Sequence, residues 1–283
     1  VFAHMIVNTR FLFTRLLPVM RINAVCDVGS MDGTDARRFR TALPRANIYA
    51  FEPHPENFRR MQTNSALQNS HIALAPLAVT NYDGMGELFA VNAGYVPGEA
   101  WRGMSSLHRR LHTPDMLTAM QVETVRLDTF LAGKAGPDLR LALWIDSEGM
   151  AYEVIEGAAG VLRNTYLLHL EVETAQCIGA VQRFYPEVKA LLGSAGFVEL
   201  ARDGHPGQLQ FNALFVRAEL PAIMGFRTRQ WLALALLRRV LGMSWRKVCP
   251  GCASWPGSRH AFPPRRAAPR PRSEGHAGRA GTG

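Results

Sequence analysis

The segment that most constrains this chain runs from residue 23 to residue 52. Asn-Ala-Val-Cys-Asp-Val (23–28) is a short apolar run ending at Gly29. Asn-Ile-Tyr-Ala-Phe-Glu (47–52) is a second, stopped by Pro53 and Pro55. Between them, residues 35–42 have helical character and are closed by Pro44. A buried strand, a glycine turn, a helix and a second buried strand make a β-α-β unit, and such units form parallel sheets.

The same rhythm continues along the chain. Residues 56–68 read as one helix, with Phe58, Met61 and Leu67 at helical spacing, and 71–79 as a strand candidate broken by Pro76. Residues 139–146 form a continuous apolar strand ending on Asp146, followed by a helix over 151–162 and a strand over 167–173 with an acidic end. A helix over 184–194 is stopped by Gly196, and 197–200 with 211–216 resemble a closing antiparallel pair. Continuous apolar strands between amphipathic helices need cover on both faces, so the expected class is α/β, doubly wound and mostly parallel. The expected organisation is a helix within 1–21, one domain over 22–220 and a distinct segment over 221–283. Residues 84–120, rich in Gly, Ser, His and Met with weak periodicity, read as a long insertion serving as a substrate lid.

Charge separates the last segment from the rest. The chain carries a formal net charge of +9. Residues 1–220 hold 20 Lys and Arg against 22 Asp and Glu, and residues 221–283 hold 12 against one acid, Glu274. The body is therefore close to neutral, which argues against nucleic-acid binding by it. In the basic segment, 223–241 reads as an apolar helix suited to packing on the domain or resting on a membrane surface, and 255–283 has the composition of a solvated tail. Cys249 and Cys252 form a lone C-x-x-C without the second pair that zinc needs. Four cysteines fit a reducing, cytoplasmic setting.

The glycine turn carries the chemical information. In open α/β sheets ligands bind outside the carboxyl ends of the strands, where chain order reverses. Gly29 and Gly33 let backbone approach a ligand and expose N–H groups at a helix start. Asp27 and Asp32 in this turn would repel a pyrophosphate, whereas they suit a cofactor whose near end is a cationic amino acid, such as S-adenosylmethionine. Glu52, ending the second strand, stands where an acid accepts hydrogen bonds from ribose hydroxyls.

The chain resembles the FkbM family of S-adenosylmethionine-dependent methyltransferases. The segments carrying the resemblance are Asp-Val-Gly-Ser-Met-Asp-Gly (27–33), Phe-Glu-Pro (51–53), Ala-Pro-Leu-Ala-Val (75–79), Ser-Ser-Leu (105–107) and Val-Arg-Leu-Asp-Thr-Phe-Leu (125–131). They continue with Ile-Asp-Ser-Glu-Gly (145–149), Glu-Gly (156–157) and His-Leu-Glu-Val-Glu (169–173). The resemblance implies a Rossmann-like fold and methylation of hydroxyls on sugars, polyketides or other small metabolites. It implies cofactor contacts at Asp27, Gly29, Ser30, Gly33 and Glu52, with Ala78 near the adenine. One departure is Trp144, which stands where the family usually has lysine.

Transfer to an alcohol needs an aligned oxygen and a group that takes its proton. Asp146 and Glu148 follow the fourth strand, and Glu171 and Glu173 share a face of the fifth. Asp146 with Glu173 could act as a pair of bases or hold Mg²⁺ through hard oxygen ligands. Glu148 has a structural alternative as a helix cap, and Asp128 reads as a cap. His108 and His112 have metal-ligand spacing without a third ligand, so a solvated face or a substrate-lid role is preferred. His54 is expected in a loop near the adenosine. Two other classes compete: a nicotinamide-dependent oxidoreductase or epimerase, although G-x-G-x-x-G is missing, and a silent binding module with a basic tail.

Overall fold

The computed structural model describes residues 8–219 apart from 95, 97, 112, 113, 135, 205 and 206. The expected helix over 223–241, the basic tail, Cys249, Cys252 and His112 lie outside the described residues.

In chain order the elements are α1 (Thr9–Val19), β1 (Ala24–Val28), α2 (Thr34–Ala42), β2 (Asn47–Phe51), α3 (Pro55–Thr63), α4 (Ser65–Gln68), β3 (Ala73–Ala75), β4 (Ala78–Val79), β5 (Gly84–Val91) and β6 (Leu117–Val125). They continue with α5 (Leu127–Leu131), β7 (Leu141–Ile145), α6 (Ala151–Glu156), β8 (Thr165–Glu173), α7 (Tyr185–Ser194), β9 (Phe197–Arg202) and β10 (Gln210–Arg217). Seven strands form one sheet in the order β3-β2-β1-β7-β8-β10-β9. The first five pair in parallel, and β10 runs antiparallel to both β8 and β9. The doubly wound α/β class and the closing antiparallel pair are thus as expected.

Every residue of β1 and β7 is buried, because helices cover both faces. Side chains alternate along each strand. Cys26, Val28, Leu143 and Ile145 enter one core with Leu127, Leu131, Val154, Ile155, Val188 and Leu192 of α5 to α7. Val25, Ala142, Trp144 and Leu167 enter the other, with Leu12, Phe13, Leu16 and Leu17 of α1, Phe39 of α2, and Met61 and Leu67 of α3 and α4. Asp27 is in phase with Val25, and His169, Glu171 and Glu173 with Leu167, so these polar side chains share the α1–α2 face. The order reverses between β1 and β7, which puts the ligand crevice outside their carboxyl ends.

Four local expectations differ from the structure, the first being the helix over 151–162, which ends at Glu156 and is followed by a separate 3-10 turn over Val161–Asn164. The helix over 56–68 is two helices: Asn64 takes an extended conformation and its side chain accepts from Ala66 N–H, capping α4. The strand over 71–79 is divided at Pro76 between sheets: β3 joins the large sheet, while β4 pairs with β6. Residues 84–120 are not irregular throughout, since β5 and β6 pair antiparallel over eight positions and make a second, three-stranded sheet with β4. Among the described residues no helix is long and apolar enough to cross a membrane.

Candidate active site

The turn after β1 is built around Gly29. Its φ is +81° and a Cβ there would lie 1.9 Å from the Asp146 carbonyl oxygen, so only glycine lets the β1 and β7 turns touch. Gly29 and Ser30 N–H groups donate to the Phe51 carbonyl at 3.1 and 2.9 Å, tying the turn to β2. Gly33, at φ +76°, starts α2, and Asp32 caps it by accepting from Thr34 N–H at 2.9 Å.

Asp27 is fully buried beneath this turn. Its Oδ2 accepts from Ser30 Oγ at 2.6 Å, and its Oδ1 is buried without a partner. Burial, helped by the charge of Asp35, pushes its pKa up to about 8. An unmet buried acceptor of this kind invites a cationic donor. Glu52 is also buried, and burial raises its pKa to about 7. One oxygen accepts from Met31 N–H at 2.7 Å, the other from His54 N–H at 2.9 Å and Asn57 Nδ2 at 3.3 Å. A carboxylate has about four acceptor positions, so one remains and the long Asn57 bond is the one most readily exchanged.

His54 accepts from Glu56 N–H and caps α3. Ala78 lies in β4, packed with Leu88 and Val122 of the small sheet.

Four acids gather at the ends of β7 and β8. Ligand atoms of Asp146, Glu148 and Glu171 all lie within 4.8 Å of one another. The Asp146 and Glu171 carboxyls meet here, and burial with the charge of Asp146 holds Glu171 well above the usual range, while burial raises Asp146 too. Two buried carboxyls this close titrate as a coupled pair. Glu173, the partner expected for Asp146, instead accepts from Gln210 Nε2 at 3.3 Å, and burial raises it to about 7. The expected pairing is corrected by geometry. Strand alternation puts both glutamates on one face, and the one nearer the β7 turn makes the contact.

Glu148 is not a helix cap. Its φ is +50°, and its carboxylate pairs with Arg110 at 2.5 Å. Burial raises Glu148 to about 7, opposed by the Arg110 charge. Ser106 Oγ donates to the Glu148 carbonyl at 2.7 Å, and Arg110 also donates to the Met104 carbonyl. The insertion is thereby strapped across the Ile-Asp-Ser-Glu-Gly turn. Beside the strap, Leu107, His108, Arg109, Leu111, Ala180 and Val181 line a groove of about 540 Å³. Asp128 accepts from Gly160 and Val161 N–H groups and is a structural cap.

Trp144 is buried in the core, stacked on His169 at 3.6 Å. Arg38 of α2 lies over its ring at 4.8 Å and pairs with Asp35 at 2.6 Å. Sequence reasoning passed over Arg38. The available signal was its i, i+3 spacing from Asp35 on a helix leaving the glycine turn.

The model of the methyltransferase FkbM domain matches residues 27–199. The 2-O-methyltransferase NoeI of Sinorhizobium fredii (strain NBRC 101917 / NGR234) is 28% identical over 153 residues, covering 52% of this chain and 62% of that relative. Magnesium protoporphyrin IX methyltransferase (ChlM) from Synechocystis PCC 6803, solved with bound SAM, superposes with a TM-score of 0.39 at 9% identity, covering 74% of this chain and 79% of that one. The N-terminal domain of EvdMO1 with SAH bound gives 0.40 at 11%, covering 74% and 80%. With the family model spanning most of the chain and its motifs assembled around one crevice, this chain belongs to the FkbM methyltransferase family.

Proposed function

We propose that this protein uses S-adenosylmethionine to methylate a hydroxyl oxygen of a small metabolite, with a sugar as the first class to test. The observation that carries the reading is the buried, half-unpartnered Asp27 beneath a glycine turn with Glu52 at the next strand end. The name of the relative NoeI, a 2-O-methyltransferase, supports oxygen as the acceptor atom.

Asp27 would hold the ammonium of the cofactor's amino-acid arm and Glu52 its ribose hydroxyls. Gly29, Ser30 and Gly33 supply the close backbone, and Ala78 is assigned to the adenine side. When bound, this cofactor supplies an electrophilic methyl group. The chain's own work is to align the acceptor oxygen and remove its proton. Asp146 is assigned as the base, because it follows β7 at the crevice and its turn touches the Gly29 turn. Glu148 and Glu173 are assigned to positioning the acceptor, Glu148 through its Arg110 strap. A divalent cation is not required by this scheme, since Glu148 already has a cationic partner.

Incubating the protein with deuteromethyl-labelled cofactor and a panel of sugars should give products heavier by the labelled methyl at oxygen. Asp27→Asn with Glu52→Gln should lose cofactor binding at least hundredfold by calorimetry. Undiminished binding in that double variant would remove the site assignment. Separately, Asp146→Asn should lower kcat roughly 10²–10⁴-fold while leaving cofactor affinity within a few-fold. An equal loss of affinity and kcat would make Asp146 a cofactor ligand rather than a base.

A further inference from the structure

A second group of unmet polar atoms lies beside Asp27 on the α1–α2 face. Arg38 sits a little over one turn into α2, which leaves directly from the glycine turn. Its Nη1 is taken by Asp35 at 2.6 Å, while its Nε and Nη2 are buried and without partners. Nε and Nη2 form the side-on edge of a guanidinium, the two parallel donors that fit a carboxylate. The ring of Trp144 supports the guanidinium 4.8 Å from its centroid, and the ring of Phe39 flanks it at 5.0 Å, which limits its swing. Asp27 and Arg38 are close enough that each charge shifts the other's titration.

The interior thus holds an unmet acidic group, Asp27 Oδ1, and an unmet bidentate donor edge on Arg38, on the same face of the fold. Buried polar atoms are ordinarily paired. An internal pair between them would have satisfied both, yet Asp27 turns its other oxygen to Ser30 and Arg38 its Nη1 to Asp35. A ligand presenting an ammonium and a carboxylate on one carbon would satisfy both sets without changing the net charge. A free phosphate would meet Arg38 but be repelled by Asp27, and an amine alone would leave Arg38 unmet.

We infer that Asp27 and Arg38 together form an α-amino-acid clamp, in which Arg38 receives the carboxylate of the cofactor's amino-acid arm through its Nε–Nη2 edge. This rests on the S-adenosylmethionine reading and sharpens it. The chain discriminates adenosyl ligands by their amino-acid arm, and Arg38 is a specificity-determining residue for that arm. Arg10 lies over the same Trp144 at 5.6 Å and pairs with Asp35 at 3.3 Å.

The test compares two ligands that share the adenosine and the sulfur. S-adenosylhomocysteine carries the amino-acid arm and 5′-methylthioadenosine does not. Calorimetry on the full chain should show wild type favouring S-adenosylhomocysteine. In Arg38→Gln its affinity should fall roughly ten- to hundredfold, the scale of lost charge-assisted hydrogen bonds, with methylthioadenosine affinity unchanged within twofold. Arg38→Lys, which keeps the charge but loses the fork, should fall in between and serves as the readout if the glutamine variant does not fold. A preference for S-adenosylhomocysteine that persists in both variants, or an equal loss for both ligands, overturns the clamp alone. Failure of wild type to bind either ligand overturns the cofactor reading and the clamp with it.

Discussion

Replacing Gly29 with alanine is expected to destabilise the protein by about 2–5 kcal/mol, the largest cost of any single methyl group near the site. Two effects add. The backbone at Gly29 has φ +81°, a left-handed conformation that costs a residue with a Cβ roughly 1–2 kcal/mol. The new Cβ would also lie 1.9 Å from the Asp146 carbonyl oxygen and 2.9 Å from its carbon, backbone atoms that cannot swing aside. Relief requires the β1 and β7 turns to separate, which strains the bond from Asp146 N–H to the Val28 carbonyl, 2.9 Å long. Overpacking of this kind adds roughly 1–3 kcal/mol. Gly133 is the control: its φ is +73°, but a Cβ there meets nothing within 4 Å. Gly133→Ala should therefore cost only about 1–2 kcal/mol. Urea denaturation of the two variants separates conformation from contact, and equal losses would refute the close approach of the two turns. Because Asp27 and Asp146 stand on the strands being pushed apart, Gly29→Ala should also lose cofactor affinity, and Gly133→Ala should keep it.

The parts of this molecule that were legible in the sequence are those governed by local rules. A buried parallel strand needs an unbroken apolar run, so β1, β2 and β7 were visible as such. Asp27 and Glu52 stood out because an acid at the end of an apolar strand is costly unless it serves a ligand or a cap. The glycine turn was visible because positive φ leaves a residue signature. What failed to show depended on partners distant in the chain. Glu171 and Glu173 are equivalent by alternation, and only the register of β7 against β8 selects Glu171 for Asp146. The strand pairing of β5 with β6 was hidden because two half-exposed strands separated by a long loop show weak alternation. Arg38 looked like one more charge on an exposed helix until Trp144, more than a hundred residues away, was placed beneath it. The structure puts a cation, Arg38, over the ring of that tryptophan.

The unliganded protein is expected to lose stability as pH rises from 6.5 to 8.5, on the order of 3 kcal/mol, against the common pattern for proteins whose acids are ion-paired. Burial raises Asp27 to about 8, and Glu52, Glu148 and Glu173 to about 7. In the unfolded chain these carboxyls titrate near 4, so across this window the native state binds more protons than the unfolded state. The resulting stability is fully present below the unfolded values and disappears as pH passes through the native ones. His54, His108 and His169 act oppositely, because burial lowers each below the usual histidine value. Their contribution grows with pH and is complete once unfolded histidine is neutral, which is why the decline emerges above 6.5. Acids with lowered values, such as Glu56 and Glu187, are ionised in both states across the window and leave its slope unchanged. Thermal melts at fixed ionic strength would show the decline, and a midpoint that is flat or rising from pH 6.5 to 8.5 would contradict the buried acids. Asp27→Asn isolates the largest contributor. The amide is neutral at every pH and keeps an acceptor for Ser30, so at pH 8.5 the variant should melt higher than wild type while binding no S-adenosylhomocysteine. The two should converge only below about pH 4, where unfolded Asp27 is protonated as well. Asp27 thus carries a charge that weakens the empty fold and becomes favourable only opposite a cation, and the same substitution should raise stability where it removes binding.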